Sequence, residues 1–164
     1  MRSTQLVSLL DHQKLRFRRP VSLIVKDRST LTSVPRAYTY FRVAAEILPL
    51  EEISAAIGCA PTSSWRKGDP GLYNPVRLDS GWCLNSPLPE TNTCIEAHIE
   101  ALLPLLECTA EAVKKISEQY QTYLVCVGYF NATTRPAFHI SKATLVRIAS
   151  LGVSIDADLY CLGC

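Results

Sequence analysis

The stretch Thr122–Phe130, TYLVCVGYF, is apolar at nearly every position, and it constrains the fold more than any other part of the chain. Nine residues rich in valine, tyrosine and phenylalanine are too few for a buried helix of ordinary length. They suit a strand in the middle of a sheet, covered on both faces. A buried central strand needs strands on either side and a layer packed over it.

Upstream, Tyr38–Glu46 (YTYFRVAAE) is aromatic and β-branched and reads as the first strand. Pro49 stands where a first helical turn tolerates it, followed by Glu51 and Glu52 near the positive helix end. Leu50, Ile53, Ala56 and Ile57 repeat at helical spacing, and Gly58 is a natural terminator. Residues 59–80 read as loop, and Gly81–Ser86 as a short second strand ended by Pro87 and Pro89. Thr93 and Glu96 have the spacing of a capping box. The helix they open carries the stripe Ile95, Ile99, Leu102, Leu103 and Leu106, continued by Val113, Ile116 and Tyr120. Pro104, inside it, removes a backbone donor and predicts a kink or break.

Beyond the central strand, 131–136 reads as a turn and Ala137–Ile140 as a short strand pairing back. Ser141 caps a helix bearing Leu145, Ile148 and Leu151, ended by Gly152. Alternation over 153–162 sends Val153, Ile155, Ala157 and Leu159 to the core, with Ser154, Asp156, Asp158 and Tyr160 outward. The order β-α-β-α-β-β-α-β predicts an α+β two-layer sandwich: a mostly antiparallel sheet of about five strands with helices on one face.

Charge divides the chain differently from hydropathy. Residues 1–37 hold eight Lys or Arg against Asp11 and Asp27, a balance of +6, while 38–164 hold nine basic and thirteen acidic residues, a balance of −4. The first segment is expected to be a basic leader, disordered or a mis-assigned start, since Met1 is the one methionine and Val34 directly precedes the domain. The second is expected to be a single domain. Its acidity makes nucleic acid an unlikely partner, and no apolar run is long enough for a membrane-spanning helix.

Seven cysteines, an odd number in apolar surroundings, read as reduced thiols and point to the cytoplasm. The terminal pair Cys161 and Cys164 has no helix after it to lower a thiol pKa, so it reads as structural. There is no glycine-rich phosphate loop, no H-E-x-x-H, no paired C-x-x-C and no G-x-S-x-G. No cofactor, metal site or catalytic residue is expected, and the reading leans away from an enzyme.

Several runs together carry a resemblance: APTSSWRKGDP (60–70), SGWCLNSPLPE (80–90), IEAHIEALLPLLE (95–107), CVGYF (126–130) and LVRIASLGVSIDADLY (145–160). In order and spacing they are similar to the bacterial family catalogued as domain of unknown function 4279, over about residues 38–162. The resemblance implies a small α+β domain with no assigned activity, and it supplies no catalytic residues. Some such small families act as immunity proteins beside toxins.

Two groups of residues are candidates for binding. Trp65, Arg66, Lys67 and Asp69 combine an indole, two cations and a turn, suited to gripping an anion or a partner's carboxylates. The plainer alternative is that Trp65 plugs the sheet edge while Arg66 pairs with Asp69 or a helix acid. Asp156 and Asp158 project from one side of the last strand, either as a paired-carboxylate site or as ordinary charges on an exposed edge. Cys94 and His98 have helical i, i+4 spacing, but a buried histidine bonded to backbone explains His98 as well. The favoured function is a non-enzymatic interaction domain, immunity-like, recognising a basic protein such as a toxin domain. The alternative is a small enzyme or small-molecule-binding domain joining the Trp65–Asp69 loop to Asp156 and Asp158.

Overall fold

A computed structural model describes residues 34–71, 75–131 and 138–162. The expected leader lies almost wholly outside them. The elements are β1 (Arg36–Ala45), α1 (Leu50–Ile57), β2 (Ser63–Trp65), β3 (Ser80–Asn85), α2 (Ile95–Cys108), α3 (Ala110–Gln119), β4 (Gln121–Asn131), α4 (Lys142–Ser150) and β5 (Ser154–Leu162). Five strands form one sheet in the order β2-β3-β1-β4-β5. The pairs β2–β3, β3–β1 and β1–β4 are antiparallel, and β4–β5 is parallel. The expected α+β class and mostly antiparallel sheet are what the chain adopts.

All four helices bury into one cluster on one face. Leu50, Ile53 and Ile57 of α1, Ile99, Leu103 and Leu106 of α2, Val113 and Ile116 of α3, and Ile148 of α4 meet Phe41, Val43, Trp82, Leu124 and Cys126 of the sheet. Trp82 is fully buried, and its indole N–H donates to Ser54 Oγ at 2.9 Å, so burying the ring strands no polar atom. His98 is also fully buried. Its Nε2 lies 2.8 Å from the Asn92 carbonyl and its Nδ1 3.1 Å from Ser86 Oγ, which makes it a structural histidine.

Local signals that depend on one residue mostly hold. Gly58 ends α1 at φ 79°, where a side chain would strain the backbone. Ser141 caps α4 by accepting from the Thr144 N–H. Elsewhere the structure corrects the expectations. The segment 59–80 is not all loop, because Ser63–Trp65 pairs with β3 as a short edge strand. Residues 138–140 form no strand, and Ala137 lies outside the described residues. The chain therefore crosses from β4 through α4 to a parallel β5.

The capping box is not used. Helix α2 begins at Ile95 with no side-chain cap, and Glu96 instead accepts the Ser141 N–H and the Thr144 hydroxyl, each at 2.8 Å. One carboxylate there satisfies two donors at the start of α4. Pro104 does not break α2, which runs unbroken to Cys108. It sits on the exposed side, where water can reach the carbonyl it leaves without a helical donor. The break falls at Thr109 instead.

On β5 the predicted inward set is buried only at its start. Val153 and Ile155 pack on the core, but Ala157 and Leu159 are exposed. An edge strand outruns the helices that would cover it. Cys94 is exposed, and Cys161 is disulfide-bonded, against the expectation of reduced thiols throughout.

Candidate functional site

The sheet face away from the helices has its own cluster: Tyr40, Trp65, Cys83, Val125, Val127 and Tyr129, with Tyr38, Tyr123, Tyr160 and Leu162 packed against it. No helix contributes to it. Strand register places these side chains in rows, since residues opposite each other share a face. Arg42 stands between Cys83 and Tyr123, and Tyr40 stands beside Val125, which faces Asp156. Val127 faces Asp158, and Tyr129 faces Tyr160. The face is a ladder of tyrosines with an acidic edge.

Aromatic rings on this face hold cations. The Arg36 guanidinium lies 4.3 Å from the Tyr129 centroid, and Tyr129 stacks on Tyr160 with centroids 5.3 Å apart. At the other edge, Arg42 and Arg77 lie 5.4 and 4.6 Å from the Trp65 ring. Both contacts are within cation–π range.

Trp65 is 7% exposed and anchored rather than presented. Its N–H donates to Asp79 Oδ1 at 3.2 Å, while Asp79 Oδ2 takes Arg42 Nη2 at 2.7 Å. Gly81, opposite Trp65, makes room for the ring: a β-carbon there would lie 2.2 Å from it. The rest of the loop is held from within the chain. The Asp69 carboxylate accepts the Arg66 N–H at 2.6 Å, closing the turn, and Arg66 Nη2 donates to Glu51 at 2.7 Å. Lys67 pairs with Glu46. The hydrogen bond from Lys67 holds the Glu46 carboxyl below its ordinary pKa. Glu51 is lowered too, first by its own backbone N–H and then by Arg66.

The two sequence-derived groups thus share a face but not a site. Trp65 is on edge strand β2 and Asp156 and Asp158 on edge strand β5; four strand spacings, about 19 Å, separate them. Asp156 is exposed and makes no ion pair with a described residue. Among the described residues no three His, Cys, Asp or Glu side chains are grouped to hold a metal ion. No helix among them is long and apolar enough to cross a membrane.

What the sequence reading missed is Asp79, which joins Trp65 to Arg42, and a cleft beside it. Asp79, Lys67 and Glu46 line this cleft of 480 Å³ together with Ala44, Ala45, Leu78 and residues 119–121. The only hint was the acid before β3, and the sequence alone did not reveal its partners.

The family model described as domain of unknown function (DUF4279) matches residues 35–162, the span from the start of β1 to the end of β5. The chain belongs to this family. No curated protein and no solved structure matches the chain. The DUF4279 match covers both edges of the tyrosine face and the Trp65 corner alike, so all the candidate residues lie within the family domain.

Proposed function

We propose that this DUF4279 domain is a non-enzymatic interaction module that binds a basic protein partner, in the manner of an immunity protein covering a cationic toxin domain. The observation that carries the reading is the state of the acids. Glu46, Glu51, Asp79, Glu90, Glu100, Glu107 and Glu111 are each matched to a cation of the same chain. Asp156 is not, and it stands at the exposed edge of the tyrosine face, one register step from Asp158 and two from Tyr160. Asp69 and Glu96 are also outside these pairs but accept hydrogen bonds within the chain, and Glu52 and Glu118 lie on the helical layer with no aromatic cluster beside them.

A carboxylate beside tyrosine rings is a good receptor for arginine, and the same face already stacks Arg36 on Tyr129. Complementary charge would speed association and reject acidic competitors. The encounter is set in the cytoplasm, a setting that the free thiols of Cys59, Cys83, Cys94, Cys108 and Cys126 fit and the disulfide at Cys161 does not.

The test is affinity capture from the source cells with the wild-type domain and a D156N/D158N bait, with retained proteins identified by mass spectrometry. The expected result is a basic protein held by the wild type, released by salt and lost from the double variant. Equal retention by both baits would overturn the proposal, as would recovery of no basic protein.

A further inference from the structure

Two arginines share the Trp65 ring, but only one of them has a counterion. Arg42 lies 5.4 Å from the ring centroid and donates to Asp79 at 2.7 Å. Arg77 lies closer, at 4.6 Å, and no carboxylate of a described residue comes within 4.0 Å of its guanidinium. The acids of this corner are engaged elsewhere. Asp79 takes Trp65 and Arg42, the Asp69 carboxylate takes the Arg66 N–H, and Glu51 and Glu46 take Arg66 and Lys67. Arg66 and Lys67, the cations expected to grip an anion, are therefore paired within the chain, and Arg77 is not.

Arg77 is also held in place. Its N–H donates to the Asp69 carbonyl at 2.8 Å and its carbonyl accepts the Gly68 N–H at 2.9 Å, which clamps its backbone to the loop after β2. The indole fixes the other end. The residue is half-buried, and its Nε is closed to water with no acceptor. A guanidinium partly stripped of water and lacking a carboxylate is costly to the free protein. The same arrangement prepares it for a ligand, since little remains to be ordered on binding. Cys83 stands between Arg42 and Ser63 in the strand register and feels the charge of Arg77, so the exposed Ser63 hydroxyl is a further donor at this corner.

We propose that Arg77, seated on Trp65, is the receptor for one carboxylate group of a ligand. A planar carboxylate matches the guanidinium fork in shape and in its single charge. The corner already holds one carboxylate in a similar way, since Asp79 bridges Arg42 and the Trp65 N–H. A phosphate dianion suits it less, because Asp69 and Asp79 stand nearby and repel the second charge. The site is separate from the acidic edge and from the basic partner assigned to it, with Trp65 on edge strand β2 and Asp156 on edge strand β5. The carboxylate belongs to a free organic acid or to an acidic side chain of a bound protein.

The probes are sodium benzoate and a capped glycyl-glutamyl-glycine peptide, each titrated against the whole chain at constant ionic strength. The readout is the indole N–H signal in two-dimensional proton–nitrogen spectra. The chain has two tryptophans, and Trp82, fully buried under the helices, serves as the internal reference. The expected result is a saturable shift of the Trp65 signal, with a Kd on the order of millimolar and Trp82 unmoved. Arg77→Gln should weaken binding about tenfold or more, and Arg77→Lys, which keeps the charge and loses the fork, should fall between. An unchanged Trp82 signal shows that each variant keeps its fold. Tighter binding of benzoate supports the site with a free organic acid as its ligand, and tighter binding of the peptide supports it with a protein side chain. Inorganic phosphate held more tightly than either probe would overturn the carboxylate assignment. Equal binding by wild type and Arg77→Gln, or no saturable shift with either probe, would overturn the site itself.

Discussion

Replacing Gly81 with alanine would reveal how firmly Trp65 is built into the sheet. The new β-carbon would lie 2.2, 2.5 and 2.6 Å from three atoms of the indole, far inside the separation at which carbon atoms attract. The ring cannot swing away without breaking its hydrogen bond to Asp79 and leaving Arg42 and Arg77. Overpacking of this kind costs about 1–3 kcal/mol. The backbone itself does not object, since Gly81 is not among the glycines with positive φ. Alanine there would even stabilise by about 0.4–1 kcal/mol through the unfolded chain. The balance is a net loss of about 1–2 kcal/mol. In a Trp65→Ala background, itself costing about 3–5 kcal/mol, the obstacle is gone and Gly81→Ala should become neutral or stabilising. The assay is urea unfolding of all four proteins by far-ultraviolet circular dichroism, compared as a double-mutant cycle. If Gly81→Ala costs the same in both backgrounds, the ring is not the cause and the reasoning is wrong.

Three further outcomes are expected. The Glu96 and Glu107 carboxyls are held below their ordinary pKa, Glu96 mainly by the Ser141 N–H and Glu107 mainly by the Arg147 hydrogen bond. Because the folded values are the lower ones, this stabilisation is full above the ordinary carboxylate range and is lost as pH falls through the depressed values. Glu107→Gln should therefore lower Tm at neutral pH and flatten its decline in acid; an unchanged acid limb would contradict this. His98→Ala removes a fully buried ring from Asn92 and Ser86 and should cost about 3 kcal/mol in urea unfolding; a loss under about 1 kcal/mol would show the ring to be dispensable. Iodoacetamide should label exposed Cys94 and Cys108 in the native protein but spare buried Cys83 and Cys126 until unfolding. Burial pushes their thiols up to about 12 and about 11. Peptide mass spectrometry would read the order, and early labelling of Cys83 would overturn it.

The parts of this fold legible in the sequence are those where many residues repeat one pattern. The apolar run of β4 and the stripe of α2 identify themselves because burial on that scale leaves few alternatives. β2 escapes because three residues, two of them exposed serines, cannot establish an alternation. Glu96 was read with its nearest neighbours in sequence, yet its donors come from Ser141 and Thr144, and no local pattern encodes that meeting. The same limit governs the candidate site. The sequence shows that Trp65 and Asp156 are unusual, but only strand order places them on opposite edges, and only packing brings Asp79 to Trp65.

The place of β1 has a consequence for how the chain is made. β1 is hydrogen-bonded on both sides, to β3 and to β4, with Val43 facing Trp82 and Thr39 facing Cys126. Yet it is the first strand of the domain to leave the ribosome, and at typical synthesis rates β4 follows only after several seconds. Until β3 emerges the aromatic segment Tyr38–Val43 has neither permanent neighbour, and until β4 emerges it has at most one, a template open to any passing strand. The strand that finally holds the sheet together is thus the one most exposed to mispairing at birth. Co-translational shielding of this segment, rather than the stability of the finished sheet, would then set the yield of folded protein.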